Sequence, residues 1–357
     1  MTNMAGTDGA VLEIDLGAVC ANWRMLGARH GSGPVAGVVK ADAYGLGAAQ
    51  VAPALFAAGC RHFFVAHLSE ALALRDLVPG AMVAVLNGAL PGTEEVFAAR
   101  GIVPVLGSLD AIAHWGARGP AILQVDTGMR RLGLDPTEIA TVRAEPARLA
   151  GMELLYVMTH LVSSEVPGDA ENARQAAAFG AACTAVPGVP RSFANSSGLF
   201  LGDAFASDLA RPGAALYGIN PTPGQPNPMR PVVRLRTQVL QVREIATGDA
   251  VGYNATWQAA RASRIATAYV GYADGWPRSL SSRGHAIFDG RAVPLVGRVS
   301  MDLTTYDVTD FPAVGPGSWL DLIAPDMPVD AVAEAAGTNG YEILTRLGAR
   351  YARVYLG

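Results

Sequence analysis

The stretch Val-Val-Lys-Ala-Asp-Ala-Tyr-Gly-Leu-Gly at residues 38–47 closes an apolar run with a lysine and opens at once onto a turn with two glycines. The run that it closes, 35–40, has the composition of a buried strand. Lys40 is therefore predicted to lie at the rim of a sheet. Half-buried lysines lose their proton readily, and a neutral amine is the nucleophile for Schiff-base chemistry with a carbonyl cofactor. A lysine that caps a strand at the surface is the alternative, and these ten residues leave both interpretations open.

The sequence on either side of this stretch repeats its pattern, with short apolar runs alternating with helical segments between residues 34 and 220. Apolar strands separated by helices indicate a parallel sheet that is buried on both faces, and eight of them favour a closed (β/α)8 barrel of the TIM type. An open doubly wound sheet is the competitor, but no Gly-x-Gly-x-x-Gly follows the first strand. The predicted strands are 35–40, 62–67, 82–87, 102–106, 121–126, 152–160, 192–196 and 214–219.

A proline-rich segment at 220–231 ends this region. Beyond it apolar and polar residues alternate, as in 233–242, and hairpin signals such as Phe288-Asp-Gly290 lie between the runs. This pattern predicts a mainly antiparallel β C-terminal domain. We predict a barrel domain over 17–228 and a β domain over 229–357, with the strand at 11–16 packed on the β domain.

Composition narrows the class of protein. Of the 357 residues 50% are hydrophobic and 16% charged, and the net charge is −4, which indicates a globular protein and argues against a nucleic-acid partner. Cys20, Cys60 and Cys183 stand alone, so neither a disulfide framework nor a metal site is predicted. Because no signal peptide and no membrane span is visible, we expect a cytoplasmic protein without a membrane partner.

The carboxyl ends of the predicted barrel strands carry the candidate active-site residues, since that face of such barrels holds the catalytic groups. Each motif also has a structural interpretation: the two arginines after Asp126 could be solvated, Asn195-Ser-Ser-Gly198 could be a helix start, and Tyr253 could be a core tyrosine. The residues at these ends are Lys40, His67, Leu86, Asp126, His160 and Asn195-Ser196, with Arg211-Pro-Gly213 in the loop before the last strand.

Six motifs occur in a set order, and together they are far more specific than any one alone. On these motifs the chain resembles the alanine racemase family of fold-type III pyridoxal-phosphate enzymes, from about Leu12 to Tyr355. The motifs are Val-Val-Lys-Ala-Asp-Ala-Tyr-Gly-Leu-Gly, Val-Asp-Thr-Gly-Met-x-Arg-Leu-Gly, Arg-Pro-Gly-x-x-Leu-Tyr-Gly, Val-Gly-Tyr-x-x-Thr-Trp, Gly-Tyr-Ala-Asp-Gly and Val-Gly-Arg-x-x-Met-Asp.

The resemblance implies pyridoxal 5'-phosphate as the cofactor, held by Lys40 as a Schiff base. Arg211 would face the pyridine nitrogen, where it weakens the electron sink and so suppresses transamination. The other cofactor-binding residues that it implies are Tyr44, Ser196 and the backbone near Gly213 and Ala214 at the phosphate, His160 beside the ring, and Leu86 and Asn195.

The resemblance also implies the reaction, interconversion of L- and D-alanine, which would supply D-alanine for peptidoglycan. Racemisation needs a base on each face of a planar carbanion, and Lys40 and Tyr253 would be these two bases. Tyrosine has a free pKa of about 10, so nearby cations must favour its phenolate. Arg131 would bind the substrate carboxylate. The implied assembly is a homodimer, in which Tyr253, Tyr272 and Met301 act on Lys40 of the other chain.

Two positions depart from the family pattern. Gln124 stands where the family often has a carbamylated lysine that braces the arginine equivalent to Arg131, so we expect no carbamate. Ala349 stands near a position where many relatives have a tyrosine, which leaves a serine-preferring or broad-specificity racemase of the same fold as the alternative. A decarboxylase of basic amino acids lacks support, because no Gly-rich phosphate loop and no reactive cysteine with an acidic neighbour is found. Non-enzymatic pyridoxal-phosphate-binding barrels end before a segment such as the one with Tyr253.

Overall fold

The computed structural model describes residues 9–31 and 33–357, and the chain divides into two compact units. The first, which we call the barrel unit, comprises Val19–Leu216 and Asn220–Arg230. The second, the β unit, comprises residues 9–18, Tyr217–Ile219 and Pro231–Gly357.

A curled parallel sheet forms the centre of the barrel unit. Its seven strands follow one another in chain order, each hydrogen-bonded to the next. An apolar cluster that includes Val38, Phe64 and Ile122 lies buried within the sheet, as expected for strands covered on both faces. The strands are β2 (Gly37–Val38), β3 (His62–Val65), β4 (Met82–Val85), β5 (Val103–Leu106), β6 (Pro120–Gln124), β7 (Glu153–Met158) and β8 (Arg191–Ser192).

The eighth position of the barrel is occupied by the segment 209–212. Leu209 forms a parallel bridge with Ser192 of β8, and Ala210 forms one with Val35 before β2, so this segment joins the two edges of the sheet. The predicted eighth strand at 214–219 is wrong, because Ala214–Tyr217 is a 3₁₀ helix. The extended path ends at Pro212, whose carbonyl still accepts from the Val38 N–H at 3.2 Å.

Helices alternate with these strands. Several begin at side chains that cap the first turn, such as Ser108, Asp135 and Asp169, as their sequence positions before apolar segments favour. The helices are α1 (Leu16–His30), α3 (Ala48–Ala57), α4 (Leu68–Arg75), α5 (Glu94–Arg100), α6 (Leu109–Trp115), α7 (Pro136–Ala144) and α8 (Ala170–Cys183), and the short element α2 (Lys40–Tyr44) is a left-handed turn.

The β unit is a mainly antiparallel sheet. The long strand β9 (Val233–Ile245) pairs with β1 (Ala10–Asp15), and β1 also pairs in parallel with β17 (Ala352–Leu356). The predicted hairpin at Phe288-Asp-Gly290 is confirmed: Asp289 and Gly290 both have positive φ, 49° and 70°, as a type I′ turn requires. The other elements are β10 (Ala250–Val251), β11 (Trp257–Gln258), β12 (Ser263–Tyr269), β13 (His285–Phe288), β14 (Arg291–Pro294), β15 (Leu303–Asp307), β16 (Trp319–Ile323), α9 (Val329–Ala336) and α10 (Gly340–Arg346).

Candidate active site

Lys40 lies directly after the first strand of the barrel sheet, where the sequence places it. The preceding residue, Val39, is still bonded to the neighbouring strand through its N–H and the Phe64 carbonyl, at 2.9 Å. Burial lowers the pKa of the Lys40 amine, the positive charge of Arg131 lowers it further, and the carboxylate of Glu70 acts in the opposite direction. The neutral amine is therefore more accessible at neutral pH than that of an exposed lysine, which suits a nucleophile or base.

The turn after Lys40 has an unusual backbone. Ala41, Asp42, Ala43 and Tyr44 are four consecutive non-glycine residues with φ between 53° and 56°. L-residues disfavour this left-handed conformation by about 1–2 kcal/mol each. Such strain persists only where surrounding contacts fix it, and it concentrates at functional sites.

Tyr44, at the end of this turn, meets the loop that follows the eighth barrel segment. A Cβ on Gly213 would lie 2.2 Å from the Tyr44 hydroxyl oxygen, so only glycine permits this approach. The Ser196 Oγ accepts the N–H groups of Gly213 and Ala215 at 3.1 and 3.2 Å. Burial raises the pKa of Tyr44 to about 12, which keeps its hydroxyl protonated and able to donate. Hydroxyl groups and backbone N–H groups thus converge here, as they do at anion-binding sites.

Arg211 is buried in the barrel. Its guanidinium donates to the Ser192 Oγ and to the Thr159 carbonyl, both at 2.5 Å. Burial lowers the pKa of Arg211 to about 10, so it stays cationic at neutral pH. Burial, with the charges of Arg211, Lys40 and Arg131, lowers the pKa of His160 to about 3. His160 is therefore neutral at neutral pH, beside a fixed positive charge.

The loop that carries Arg131 is folded back onto the end of β6. The Asp126 Oδ1 accepts the N–H groups of Gly128 and Arg130 at 2.8 and 3.1 Å. The Gln124 Nε2 donates to the Leu132 carbonyl at 2.9 Å. Gln124 therefore braces the backbone of the loop, and within the described residues no hydrogen bond joins its amide to the exposed Arg131 guanidinium.

A buried glutamine connects this loop with the end of β7. The Gln175 Nε2 donates to the Thr127 Oγ1 at 2.9 Å and to the His160 carbonyl at 3.0 Å, and its Oε1 accepts the Val162 N–H at 2.8 Å. Removal of this amide would leave buried polar groups unpaired. Sequence reasoning missed Gln175, since a glutamine inside an Ala-rich helix gives no signal of its own.

Two further predicted residues occupy the same end of the barrel. Leu86 follows β4 and packs against the apolar cluster inside the sheet, as Tyr44 does. The Asn195 Oδ1 accepts the Gly198 N–H at 2.8 Å and the Ser164 hydroxyl at 3.0 Å, so this amide shapes the loop that holds Ser196.

The β unit carries the remaining predicted residues on its surface. Tyr253, Tyr272 and Met301 are 65%, 43% and 54% exposed. Tyr272 and Met301 lie on adjacent loops, because the Tyr272 N–H bonds the Ser300 carbonyl and the Ala273 N–H bonds the Met301 carbonyl, each at 2.9 Å. Tyr253 begins a 3₁₀ turn directly after Gly252. The alternative of a core tyrosine is thus wrong for Tyr253.

The composition contains a stronger signal for Lys40 than its place at a strand end. The chain has 27 lysine and arginine residues, and Lys40 is the only lysine among them. Where basic side chains elsewhere are all arginine, a single lysine points to chemistry that a guanidinium cannot perform, such as Schiff-base formation.

The part of the chain that the structure describes lacks two other features, a metal-binding cluster and a membrane-spanning helix. Residues 9–31 and 33–357 contain no group of three or more His, Cys, Asp or Glu side chains arranged to hold a metal ion. In the same residues, the helices are too short or too polar to cross a membrane.

Comparisons with known proteins agree with this geometry. The family model described as alanine racemase, N-terminal domain, matches residues 14–221, and the one described as alanine racemase, C-terminal domain, matches residues 232–355. An alanine racemase of Acidiphilium cryptum is 59% identical over 96% of this chain and 98% of its own length.

Two crystal structures are similar over nearly the whole chain. The alanine racemase of Bartonella henselae, described with covalently bound pyridoxal phosphate, is 43% identical with a TM-score of 0.94, and the match covers 98% of this chain and 99% of that one. The biosynthetic alanine racemase of Pseudomonas aeruginosa is 32% identical with a TM-score of 0.93, covering 98% and 100%.

These matches identify the protein as an isomerase, built from a barrel unit that carries Lys40 and a β unit. Within that class, this chain belongs to the alanine racemase family.

Proposed function

We propose that this protein interconverts L- and D-alanine with pyridoxal 5'-phosphate as cofactor. The observation that carries the proposal is the position of Lys40. The chain's only lysine lies at the end of a barrel strand, and burial together with Arg131 lowers the pKa of its amine. Family membership supports the substrate and the cofactor.

The residues around Lys40 fit the cofactor. The phosphate would be held by the Tyr44 and Ser196 hydroxyls and by the backbone at Gly213 and Ala214. The close approach of Tyr44 to Gly213, which a Cβ would block, supports this assignment. Arg211 would lie at the pyridine nitrogen, and His160, Leu86 and Asn195 would complete the surroundings of the ring. Arg211 bonds two neutral oxygens, so it keeps a full positive charge for that nitrogen.

The chain's own residues would perform the proton transfers. When bound, pyridoxal phosphate supplies an electron sink for negative charge at the α-carbon of alanine. The Lys40 Nζ would remove or return the α-proton on one face. The Tyr253 hydroxyl would do so on the other face, and inversion of configuration requires both. Arg131 would orient the substrate through its carboxylate, with the loop that Gln124 and Asp126 brace holding its position.

We propose that the enzyme is a homodimer with shared active sites. The three predicted residues of the β unit, Tyr253, Tyr272 and Met301, have large exposed side chains, which is what a surface completed by a second chain requires. In the dimer they would act on Lys40 of the other subunit. Sedimentation analysis should find a dimer, and mixing inactive Lys40→Ala and Tyr253→Phe chains should restore one functional site per heterodimer.

The biological role that we propose is that of a cytoplasmic enzyme that supplies D-alanine for peptidoglycan. Membership of the family supports it. Expression of the gene in a bacterial strain that needs added D-alanine tests it. The wild type should support growth without D-alanine, and Lys40→Ala should not.

A wider substrate range is the second candidate. Ala349 is small and exposed. A tyrosine near this position, as in many relatives, would fill space that alanine leaves open to a larger substrate. A hydroxyl or methylene changes substrate preference by only about 1–3 kcal/mol. A panel of L-amino acids separates the candidates. A kcat/KM for serine equal to that for alanine would favour the enzyme with the wider substrate range, and Ala349→Tyr should then narrow that range.

The decisive test of the proposed function is D-alanine formation by the purified protein. The loaded protein should be yellow and should bleach on borohydride reduction. Recovery of the reduced pyridoxyl group on Lys40 would establish that this residue binds the cofactor. Because Lys40 is the only lysine, any other labelled lysine is excluded by the sequence. Absence of racemisation in a fully loaded protein would refute the proposal.

A further inference from the structure

The side chain of Glu70 connects the turn after Lys40 to the next strand of the barrel. Its Oε1 accepts the Ala41 N–H at 2.6 Å. Its Oε2 accepts the N–H groups of Ala66 and His67, which follow β3, at 2.7 and 3.0 Å. One carboxylate therefore holds three backbone donors from two neighbouring loops, and such charge-assisted bonds are the stronger kind.

The turn that Glu70 contacts needs external support. Ala41 is the first of the four left-handed non-glycine residues, so its N–H lies where the chain leaves Lys40 and enters the strained segment. At the other end, the Asp42 Oδ1 accepts the Ala48 N–H at 2.7 Å. Glu70 therefore accepts a bond from the start of the turn, next to the residue that presents the amine.

Glu70 also supplies negative charge near the amine. Burial and Arg131 both lower the pKa of Lys40, and Glu70 is the group that raises it. The carboxylate can thus limit how far the pKa of the amine is lowered, in addition to bonding the backbone next to Lys40.

We propose that Glu70 is a positioning residue for Lys40, which holds the left-handed turn that presents the amine and supplies the anion beside it. The inference rests on the proposed function, because the amine matters for catalysis only if Lys40 binds the cofactor. Glu70 contacts neither substrate nor cofactor in this account and acts through Lys40.

The chain contains a matched control for this arrangement. Glu138, in α7, also accepts the N–H of the residue before its own helix, Asp135, at 3.1 Å. Its other oxygen accepts the N–H of Leu109, at the start of α6, at 3.0 Å. Glu138 therefore makes the same kind of connection between elements, but Lys40 is not part of it.

The first experiment uses the full-length protein after removal of the cofactor. Growth on [ε-13C]lysine gives one lysine resonance, since Lys40 is the only lysine. Titration of that resonance measures the pKa of Lys40 in the wild type, Glu70→Gln and Glu138→Gln. We expect a lower pKa in Glu70→Gln, because an anion that favours the charged amine is lost, and the wild-type pKa in Glu138→Gln. A wild-type pKa in Glu70→Gln would overturn the proposal.

The second experiment uses the loaded enzyme. We expect Glu70→Gln to reduce kcat by about ten-fold or more, with a smaller change in KM for alanine, since the substrate contacts are intact. Glu70→Asp keeps the charge but is too short for all three bonds, so it should recover the Lys40 pKa and only part of kcat. An equal loss of kcat in Glu138→Gln would show a merely structural effect and contradict the proposal. A wild type without racemase activity would refute the proposed function instead, and the titration would still decide the role of Glu70.

Discussion

The Tyr44 hydroxyl and the Cα of Gly213 approach each other so closely that a Cβ at position 213 would lie 2.2 Å from Tyr44 Oη and 2.9 Å from Cζ. The contact joins the turn after Lys40 to the loop after the eighth barrel segment. Gly213 also donates its N–H to Ser196. This contact and this hydrogen bond together connect three groups that we propose to bind the phosphate.

Gly213→Ala is expected to displace Tyr44 and weaken cofactor binding. Overpacking of this kind reduces the free energy of unfolding by about 1–3 kcal/mol. Absorbance titration with pyridoxal phosphate and urea unfolding of the cofactor-free protein measure the two effects. Gly180→Ala is the control. Gly180 lies inside α8, and a methyl group added there meets no atom within 4 Å. That variant should bind the cofactor normally. Normal binding by Gly213→Ala as well would contradict the proposal that Tyr44 and the backbone at Gly213 hold the phosphate.

Activity is expected to be independent of carbon dioxide. The family often braces its substrate arginine with a carbamylated lysine, whereas Gln124 braces the Leu132 carbonyl through its amide nitrogen. An amide cannot form the carbamate, and the chain has no lysine other than Lys40. Rates measured in carbon-dioxide-free and bicarbonate-supplemented buffer should agree. A fall in rate on removal of carbon dioxide would show this interpretation of Gln124 to be wrong.

The buried His160 is expected to make stability depend on pH. Burial lowers its folded-state pKa to about 3, well below the value of about 6.5 for an unfolded chain. Between these two values the unfolded chain binds the proton and the folded protein does not, so stability falls as the pH drops below about 6.5. The loss reaches at most about 1.4 kcal/mol per pH unit.

Urea unfolding of the cofactor-free protein at pH 7 and pH 5, at one protein concentration, tests this expectation. His160→Gln should lose less stability than the wild type on acidification, because it removes a histidine whose pKa is lowered in the folded protein. The exposed His114 provides the control, since His114→Gln should follow the wild type. Equal acid sensitivity of wild type and His160→Gln would count against a neutral His160 in the folded protein.

Much of the fold could be predicted from the sequence, because strand periodicity is a local property. The alternation of apolar and polar residues at 233–242 is part of strand β9, Val233–Ile245. The hairpin at Asp289-Gly290 followed from turn chemistry alone. Prediction failed at the barrel closure, where segment 209–212 bonds the sheet edges through isolated bridges. An apolar run at 214–219 is equally compatible with a strand and with the buried 3₁₀ helix that it forms.

The position of Lys40 at the end of a barrel strand could be predicted, because the apolar run before it is a local pattern. The shape of the backbone around Lys40 could not be predicted. Nothing in Ala-Asp-Ala-Tyr favours four left-handed residues, and one of the bonds to this turn comes from Glu70, distant in sequence. Gln175 was missed for the same reason, since its partners lie on two other loops. At both places the decisive contacts are tertiary, and a local sequence pattern does not contain them.

We propose Lys40 and Tyr253 as bases on opposite faces of the substrate. The most direct test measures kcat/KM for L-to-D and D-to-L conversion in the wild type, Tyr253→Phe and Tyr269→Phe. Tyr269 is another exposed tyrosine of the β unit and serves as the control. Loss of a general base lowers the rate by about 10²–10⁴-fold, so Tyr253→Phe should lose activity in both directions while Tyr269→Phe keeps it. Full activity of Tyr253→Phe in both directions would contradict the two-base account.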